Sequence, residues 1–289
     1  MIYKSAQDWS TATHKRVALF GMSGLGKTHV ANALRASGNW FHYSVDYRIG
    51  TRYMGEFIVD NLKREAMKNP FLAGLLRTDS IDISSNISFE NLAPLSSYLG
   101  KPGDPAKGGL AFEDYMIRQD QHRTAEINAL TDTGYFVERS QNLYKYDNFI
   151  CDTGGSICEV VEPENPNDPV LRHLADNVLL VWIKGSAEHA DTLAERFNIA
   201  PKPMYYPPEI MRDMWQRYLE KQGCDEVKVD PDDFIRWGYG EALSHRQPRY
   251  QAMADHWGVT VTAQDVAQVA TPDDFDALIG AAITAANQD

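Results

Sequence analysis

Gly21, Gly26, Lys27 and Thr28 stand at the spacing G-x-x-x-x-G-K-[ST] in the run Gly21-Met-Ser-Gly-Leu-Gly-Lys-Thr28. That pattern suits a polyphosphate. Backbone N–H groups must wrap the phosphate oxygens, so the turn needs glycines that accept unusual dihedrals and carry no Cβ. A helix beginning near Lys27 aims its positive end and its unpaired N–H groups at the anion. Lys27 is expected to reach the β- and γ-phosphates, and the Thr28 hydroxyl to ligate Mg²⁺. Met22, Ser23, Gly24, Leu25 and His29 complete the expected nucleotide-binding set. A glycine-rich turn with a chance Lys-Thr would share these letters, but the flanks also fit. Val17 to Phe20 is an apolar run suited to a strand buried on both faces, and Val30, Ala31, Ala33 and Leu34 follow at helical spacing until Ser37-Gly38.

Two carboxylates lie at comparable places. Trp40 to Val45 is aromatic and β-branched and reads as a second strand, closing at Asp46-Tyr47-Arg48. Asn148 to Cys151 is a further short buried strand closed by Asp152 and followed by Thr153-Gly154-Gly155-Ser156. Ligands of open α/β sheets bind outside the carboxyl ends of the strands, which puts Asp46, Arg48 and Asp152 in functional territory. An Asp after an apolar run can hold Mg²⁺ beside a phosphate loop, and Gly154-Gly155 lets a ligand approach the backbone closely. Asp46 and Asp152 also suit helix N-caps, and Arg48 a solvated turn.

The 289 residues carry 28 Lys+Arg against 40 Asp+Glu, a net charge of −12, which disfavours nucleic acid or an anionic membrane as the main partner. Cys151, Cys158 and Cys224 form neither an even set nor a C-x-x-C pair and are expected reduced. No run reaches membrane-span length and Met-Ile-Tyr-Lys-Ser lacks the apolar region of a signal peptide, so the expected location is cytoplasmic. The oligomeric state is not legible.

Strands at Arg16–Phe20, Trp40–Val45, Asn148–Cys151, Val178–Ile183 and Val259–Val261 alternate with helical patterns, which predicts a five-stranded parallel sheet flanked by helices on both faces. Residues 1–15 read as a polar lead-in. Residues 55–130 read as a largely helical insertion between the second and third strands, either a lid or a surface for acceptor or partner. It contains a Gly/Pro/Lys-rich loop at 98–109 and a helical pattern at 112–130, and a further helical pattern follows it at 136–146. Four prolines keep 199–208 out of a helix and make it an ordered or closing loop that carries Lys202. One or two helices are expected over 231–257. Thr271-Pro-Asp-Asp opens a capped C-terminal helix.

In order, these landmarks resemble the shikimate-kinase-like branch of the P-loop kinases, related to the nucleoside monophosphate kinases. The phosphate loop is followed by Asp46, Phe136-Val-Glu-Arg139, Gly154-Gly155, Arg196 with Lys202-Pro203, and Arg246-Gln-Pro-Arg-Tyr250. The resemblance covers about half the chain and implies a single three-layer P-loop NTPase domain over residues 1–289, using ATP and Mg²⁺. It implies that Asp46 contacts the acceptor, that Arg246 binds an acidic group on it, and that Lys202 belongs to a lid. Ser44 replaces the first acid of the family's Asp-x-Asp, and Val137 stands at its acceptor arginine, with Arg139 as the nearest substitute. Lys202 replaces a lid arginine and Ser156 ends the glycine run early. Shikimate is therefore not carried over as substrate.

The implied activity is Mg²⁺-dependent transfer of the ATP γ-phosphoryl group to a hydroxylated, anionic small molecule. Lys27, Asp46 and Lys202 would serve catalysis, Thr28 and Asp152 the metal, and Asp46, Arg48, Arg139, Gly154, Gly155 and Arg246 the acceptor. The alternative is an ATPase acting as a nucleotide-dependent switch or regulator, with the insertion as partner surface.

Overall fold

The computed structural model describes residues 1–288; Asp289, the last residue of the expected domain, lies outside them. Five strands are formed among the described residues: β1 (Arg16–Phe20), β2 (Trp40–Ser44), β3 (Asn148–Asp152), β4 (Leu179–Lys184) and β5 (Gly258–Thr262). All pairings are parallel, and the sheet order is β2-β3-β1-β4-β5. The sheet is central and flanked by helices, so β1 and β4 read as nearly unbroken apolar runs, with Val17, Leu179, Leu180 and Val181 wholly buried. The order puts β3 directly beside β1, with Leu19 opposite Asp152, and β2 beside β3, with Ser44 opposite Asp152.

The chain divides into two compact units. The first holds the sheet and takes in Met1–Val45, Ile127–Pro201 and the chain from Arg236 onward. The lead-in is not featureless: Ala6–Thr11 is a short helix capped by the Ser5 side chain, and Trp9 is buried. Its indole packs edge-on against Phe275 and donates to the Asp276 carbonyl at 3.1 Å. Residues 112–142 form one helix of 31 residues rather than two. Within this unit the helix runs against the strand direction, with Ala129 bonded to Tyr43 and Phe136 stacked on Phe41. Pro231–Trp257 is likewise one helix, and it carries Pro248 inside it. The C-terminal helix Pro272–Ala286 has the expected capping box, made by Thr271 and Asp274.

The second unit takes in Asp46–Glu126 and Lys202–Ile235, so most of residues 55–130 fold together with the proline-rich stretch and the helix Pro208–Gln222. Phe112 stacks on Trp215 at 4.8 Å, and Trp215 meets Phe234 edge-on. The Gly/Pro loop is tied down. Gly103 N and Asp104 N donate to the carbonyls of Leu110 and Val229 (2.9 and 2.8 Å), and Lys101 and Lys107 pair with Asp232 and Asp230 (2.6 and 2.8 Å). No helix among the described residues is long and apolar enough to cross a membrane.

Candidate functional site

The phosphate loop begins where β1 ends. Gly21 has φ 134°, and a Cβ there would come within 2.7 Å of the Ile183 carbonyl oxygen, so the chain can turn beside β4 only with glycine. Gly26 (φ 104°) caps the helix Lys27–Ala36, and a Cβ there would meet Val266 at 2.8 Å. The bond from Val30 N to the Gly26 carbonyl (3.0 Å) opens that helix, so the amides of Lys27, Thr28 and His29 lie in its first turn, ahead of any intrahelical acceptor. Such a turn favours an anion.

Lys27 is buried and crosses the loop from within, its Nζ donating to the carbonyls of Gly21 (2.8 Å) and Met22 (3.0 Å). Ser23 and Gly24 are exposed at the tip, whereas Met22 and Leu25 anchor it in the core. The His29 ring engages the Val269 carbonyl at 3.2 Å, so of the expected nucleotide ligands it offers its amide rather than its imidazole.

The β1–β3 register sets the metal-binding candidates side by side. Thr28 Oγ1 donates to Asp152 Oδ2 at 3.0 Å. Burial raises the Asp152 carboxyl above the usual range, and Lys27 and the Thr28 bond draw it back only in part. Thr153 continues the ladder, its amide and hydroxyl both donating to the Leu19 carbonyl (3.2 and 2.9 Å). The two side chains supply hard oxygen donors, the set Mg²⁺ accepts when phosphates and water complete its shell. Among the described residues no group of three or more His, Cys, Asp or Glu could hold a metal ion.

Gly154 and Gly155 follow, and a Cβ on Gly155 would lie 3.5 Å from Ser23 N, so this turn borders the phosphate loop. Its carbonyl points at the helix Pro231–Trp257, where it accepts from Tyr250 Oη and from Arg246 Nη1 (3.2 Å). Arg246, expected to face an acidic acceptor, is turned inward. It is 4% exposed, and its Nε donates to Glu159 Oε1 at 2.7 Å. Glu159 Oε2 in turn meets His245 Nε2 at 3.0 Å. Burial works against the charge of Arg246, but Tyr250, Glu159 and Cys158 outweigh it and keep the guanidinium protonated. The Cys158 thiol is pushed up to about 12, chiefly by burial.

Sequence reasoning missed this cluster. Its signal was the spacing Arg246, Arg249, Tyr250, Trp257, one face of a helix carrying donors. Arg249 Nε donates to the Cys158 carbonyl (2.7 Å), Arg249 Nη2 to that of Val161 (2.5 Å), and Trp257 Nε1 to that of Pro163 (2.7 Å). The loop after β3 contains only the 3₁₀ turn Ile157–Glu159, so its buried carbonyls are met by side chains instead of a ladder.

Arg139 is not brought to the phosphate loop. It lies over Tyr135 and Tyr144 (5.2 and 5.8 Å to the ring centroids), and Tyr144 stacks on Phe41 near the start of β2, at the other end of the strands from Asp152. Val137 faces the core. The remaining expected residues belong to the second unit. Asp46 is half-buried in the short helix Val45–Arg48 that follows β2 directly, Arg48 stacks over Tyr53 at 5.5 Å, and Lys202 is exposed in the irregular stretch before Pro208. Arg118 is bound within its own unit, to the Tyr98 carbonyl and to Asn61 Oδ1 (3.1 Å).

No family model and no curated protein matches this chain. Among solved structures, it is similar to a crystal structure of shikimate kinase from Bacteroides thetaiotaomicron, at 16% identity and a TM-score of 0.39, over 95% of this chain and 97% of that one.

Proposed function

We propose that this chain binds ATP with Mg²⁺ at the loop Gly21–Thr28 and transfers the γ-phosphoryl group to a small hydroxylated acceptor. The observation that carries the reading is the 3.0 Å contact between Thr28 and Asp152, which joins the end of a phosphate loop to a carboxylate one strand away. The amides of Lys27 to His29 and the loop glycines would hold the phosphates. Lys27, already inside the loop, would exchange its two carbonyl partners for phosphate oxygens. Thr28 and Asp152 would hold the metal, which supplies charge neutralisation across the β- and γ-phosphates.

Asp46 would orient or deprotonate the acceptor hydroxyl, since it lies two residues beyond Ser44 at the carboxyl end of β2. Lys202 would meet charge developing on the transferred group from the proline-rich segment, and Arg48 would stand near the acceptor. Of the three arginines first assigned to the acceptor only Arg48 is kept, because Arg246 is committed to Glu159 and Arg139 stands on aromatic rings. That same finding favours a second reading, an ATPase acting as a switch whose second unit meets a partner.

The test is turnover of ATP·Mg²⁺ with and without a panel of sugars, hydroxy acids and nucleosides. Phosphoryl transfer that requires an acceptor supports the kinase, and hydrolysis indifferent to every acceptor supports the switch. Asp46→Asn should lose transfer and keep ATP binding. Absence of any nucleotide binding by the folded wild type would falsify both.

A further inference from the structure

A fully buried carboxylate sits at the centre of the cluster behind the glycine turn. The Glu159 side chain is 0% exposed and that of its partner Arg246 is 4% exposed. Burying an ion pair costs both partners their hydration, and apolar residues of the same volume often do as well for stability. The value of the pair therefore lies in where it holds its neighbours. One neighbour is the Gly155 peptide: Glu159 takes Arg246 Nε, which leaves Nη1 directed at the Gly155 carbonyl, and Gly155 borders Ser23 of the phosphate loop. The other is His245, half-buried, whose Nε2 faces Glu159 Oε2 at 3.0 Å. A carboxylate can only accept, so the ring nitrogen facing it carries the hydrogen.

We propose that Glu159 is the positioning residue of this site: through Arg246 it fixes the Gly154–Gly155 turn against the phosphate loop, and directly it holds His245 in the Nε2-protonated tautomer. The proposal rests on the nucleotide-dependent reading given above, and adds to it a residue outside every motif. Glu159 touches neither nucleotide nor acceptor. Its effect reaches the chemistry through the placement of one peptide group and one imidazole, where displacements of about 1 Å cost on the order of 10²-fold in rate.

The experiment uses the full chain labelled with ¹⁵N-histidine, with the His245 signals identified by their loss in His245→Gln. Wild-type His245 is expected to show the Nε2–H tautomer. In Glu159→Gln the amide NH₂ can turn to the ring while the amide oxygen stays with Arg246, and the tautomer should switch to Nδ1–H. Acceptor-dependent or hydrolytic kcat should fall about 100-fold while the ATP dissociation constant changes less than about 3-fold. If Glu159→Gln does not fold, Glu159→Asp carries the kinetic arm, because it keeps the charge but is too short to serve both neighbours. A wild-type ring protonated on Nδ1, or a variant whose kcat is unchanged, overturns the proposal. A wild type with no turnover sinks the nucleotide-chemistry reading instead. The positioning role is then decided by the tautomer together with the Gly155 carbonyl resonance of a second sample labelled with ¹³C-glycine, which must move in Glu159→Asp, where one side chain no longer reaches both neighbours.

Discussion

Thr28 Oγ1 donates to Asp152 Oδ2 at 3.0 Å, although the two residues are 124 positions apart in the chain. The contact exists because β3 lies next to β1 and the register sets Leu19 against Asp152, one step before the loop leaves the sheet. A hydroxyl from the first turn of a helix and a carboxylate from a strand end therefore share one spot, and a carboxylate there is poorly hydrated.

Replacing that carboxylate should separate stability from function. Burial raises the Asp152 pKa, so the folded state binds this proton more tightly than the unfolded chain does. Its contribution favours folding at low pH and is lost as pH rises through the raised pKa. Asp152→Asn is thus expected to melt higher than wild type at pH 7 without nucleotide, the gap closing towards pH 4, and to lose the stabilisation that ATP·Mg²⁺ confers. Equal destabilisation at every pH would count against this account.

His42 should make the protein acid-sensitive. Burial, with a smaller push from Arg35, lowers its pKa to about 4, whereas the unfolded chain would titrate near 6.5. Stability is then complete above the unfolded value and is lost as pH falls from about 6.5 towards 4, by up to about 3 kcal/mol. Urea unfolding across that range should show the slope, and His42→Phe should flatten it.

Lys27→Ala should weaken nucleotide binding by roughly 10- to 100-fold, the range of one or two hydrogen bonds to a charged group. Calorimetric titration measures it directly. The same substitution frees the carbonyls of Gly21 and Met22, so a control melt must show the loop helix still folded.

The pair between Arg246 and Glu159 should behave unlike the surface pair between Arg212 and Glu113. Arg246→Ala strands a buried carboxylate and is expected to cost about 3–5 kcal/mol, whereas Arg212→Ala, at an exposed pair screened by solvent, should leave the denaturant midpoint nearly unchanged. Adding Glu159→Leu to Arg246→Met should recover most of the loss, and denaturant midpoints of wild type, Glu159→Leu, Arg246→Met and the double variant close the cycle.

Native thiol labelling should proceed at Cys224, which is partly exposed, and spare Cys151 and Cys158. Burial pushes the Cys158 thiol up to about 12, so almost no thiolate is present at pH 8. Mass spectrometry of the labelled, folded chain should find one modified cysteine.

The sheet and the phosphate loop were legible because local patterns dictate them: apolar runs such as Val17–Phe20 for buried strands, and glycines where Gly21 and Gly26 must take positive φ. Thr28 and Asp152 were legible as a pair because both lie at the ends of such elements. Arg246 was misjudged because its partner, Glu159, lies 87 residues away in a loop without periodicity, and no local pattern links them. Arg139 was misjudged for the opposite reason. Its neighbours Tyr135 and Tyr144 are local, but the direction of the helix Phe112–Asn142 along the sheet, which sends Arg139 towards the amino ends of the strands, is a tertiary fact. The short helix Ala6–Thr11 was missed because a single buried indole, Trp9, holds it in place.

The stretch after β3 takes its shape from donors on Arg246, Arg249, Tyr250 and Trp257, all more than 85 positions downstream. During synthesis the first three strands can leave the ribosome and associate while that stretch has nothing to fold upon. Its carbonyls must wait in water until nearly nine-tenths of the chain has been made. Assembly of the glycine turn is therefore a late event, and truncation before Arg246 leaves the turn after β3 without the donors that shape it.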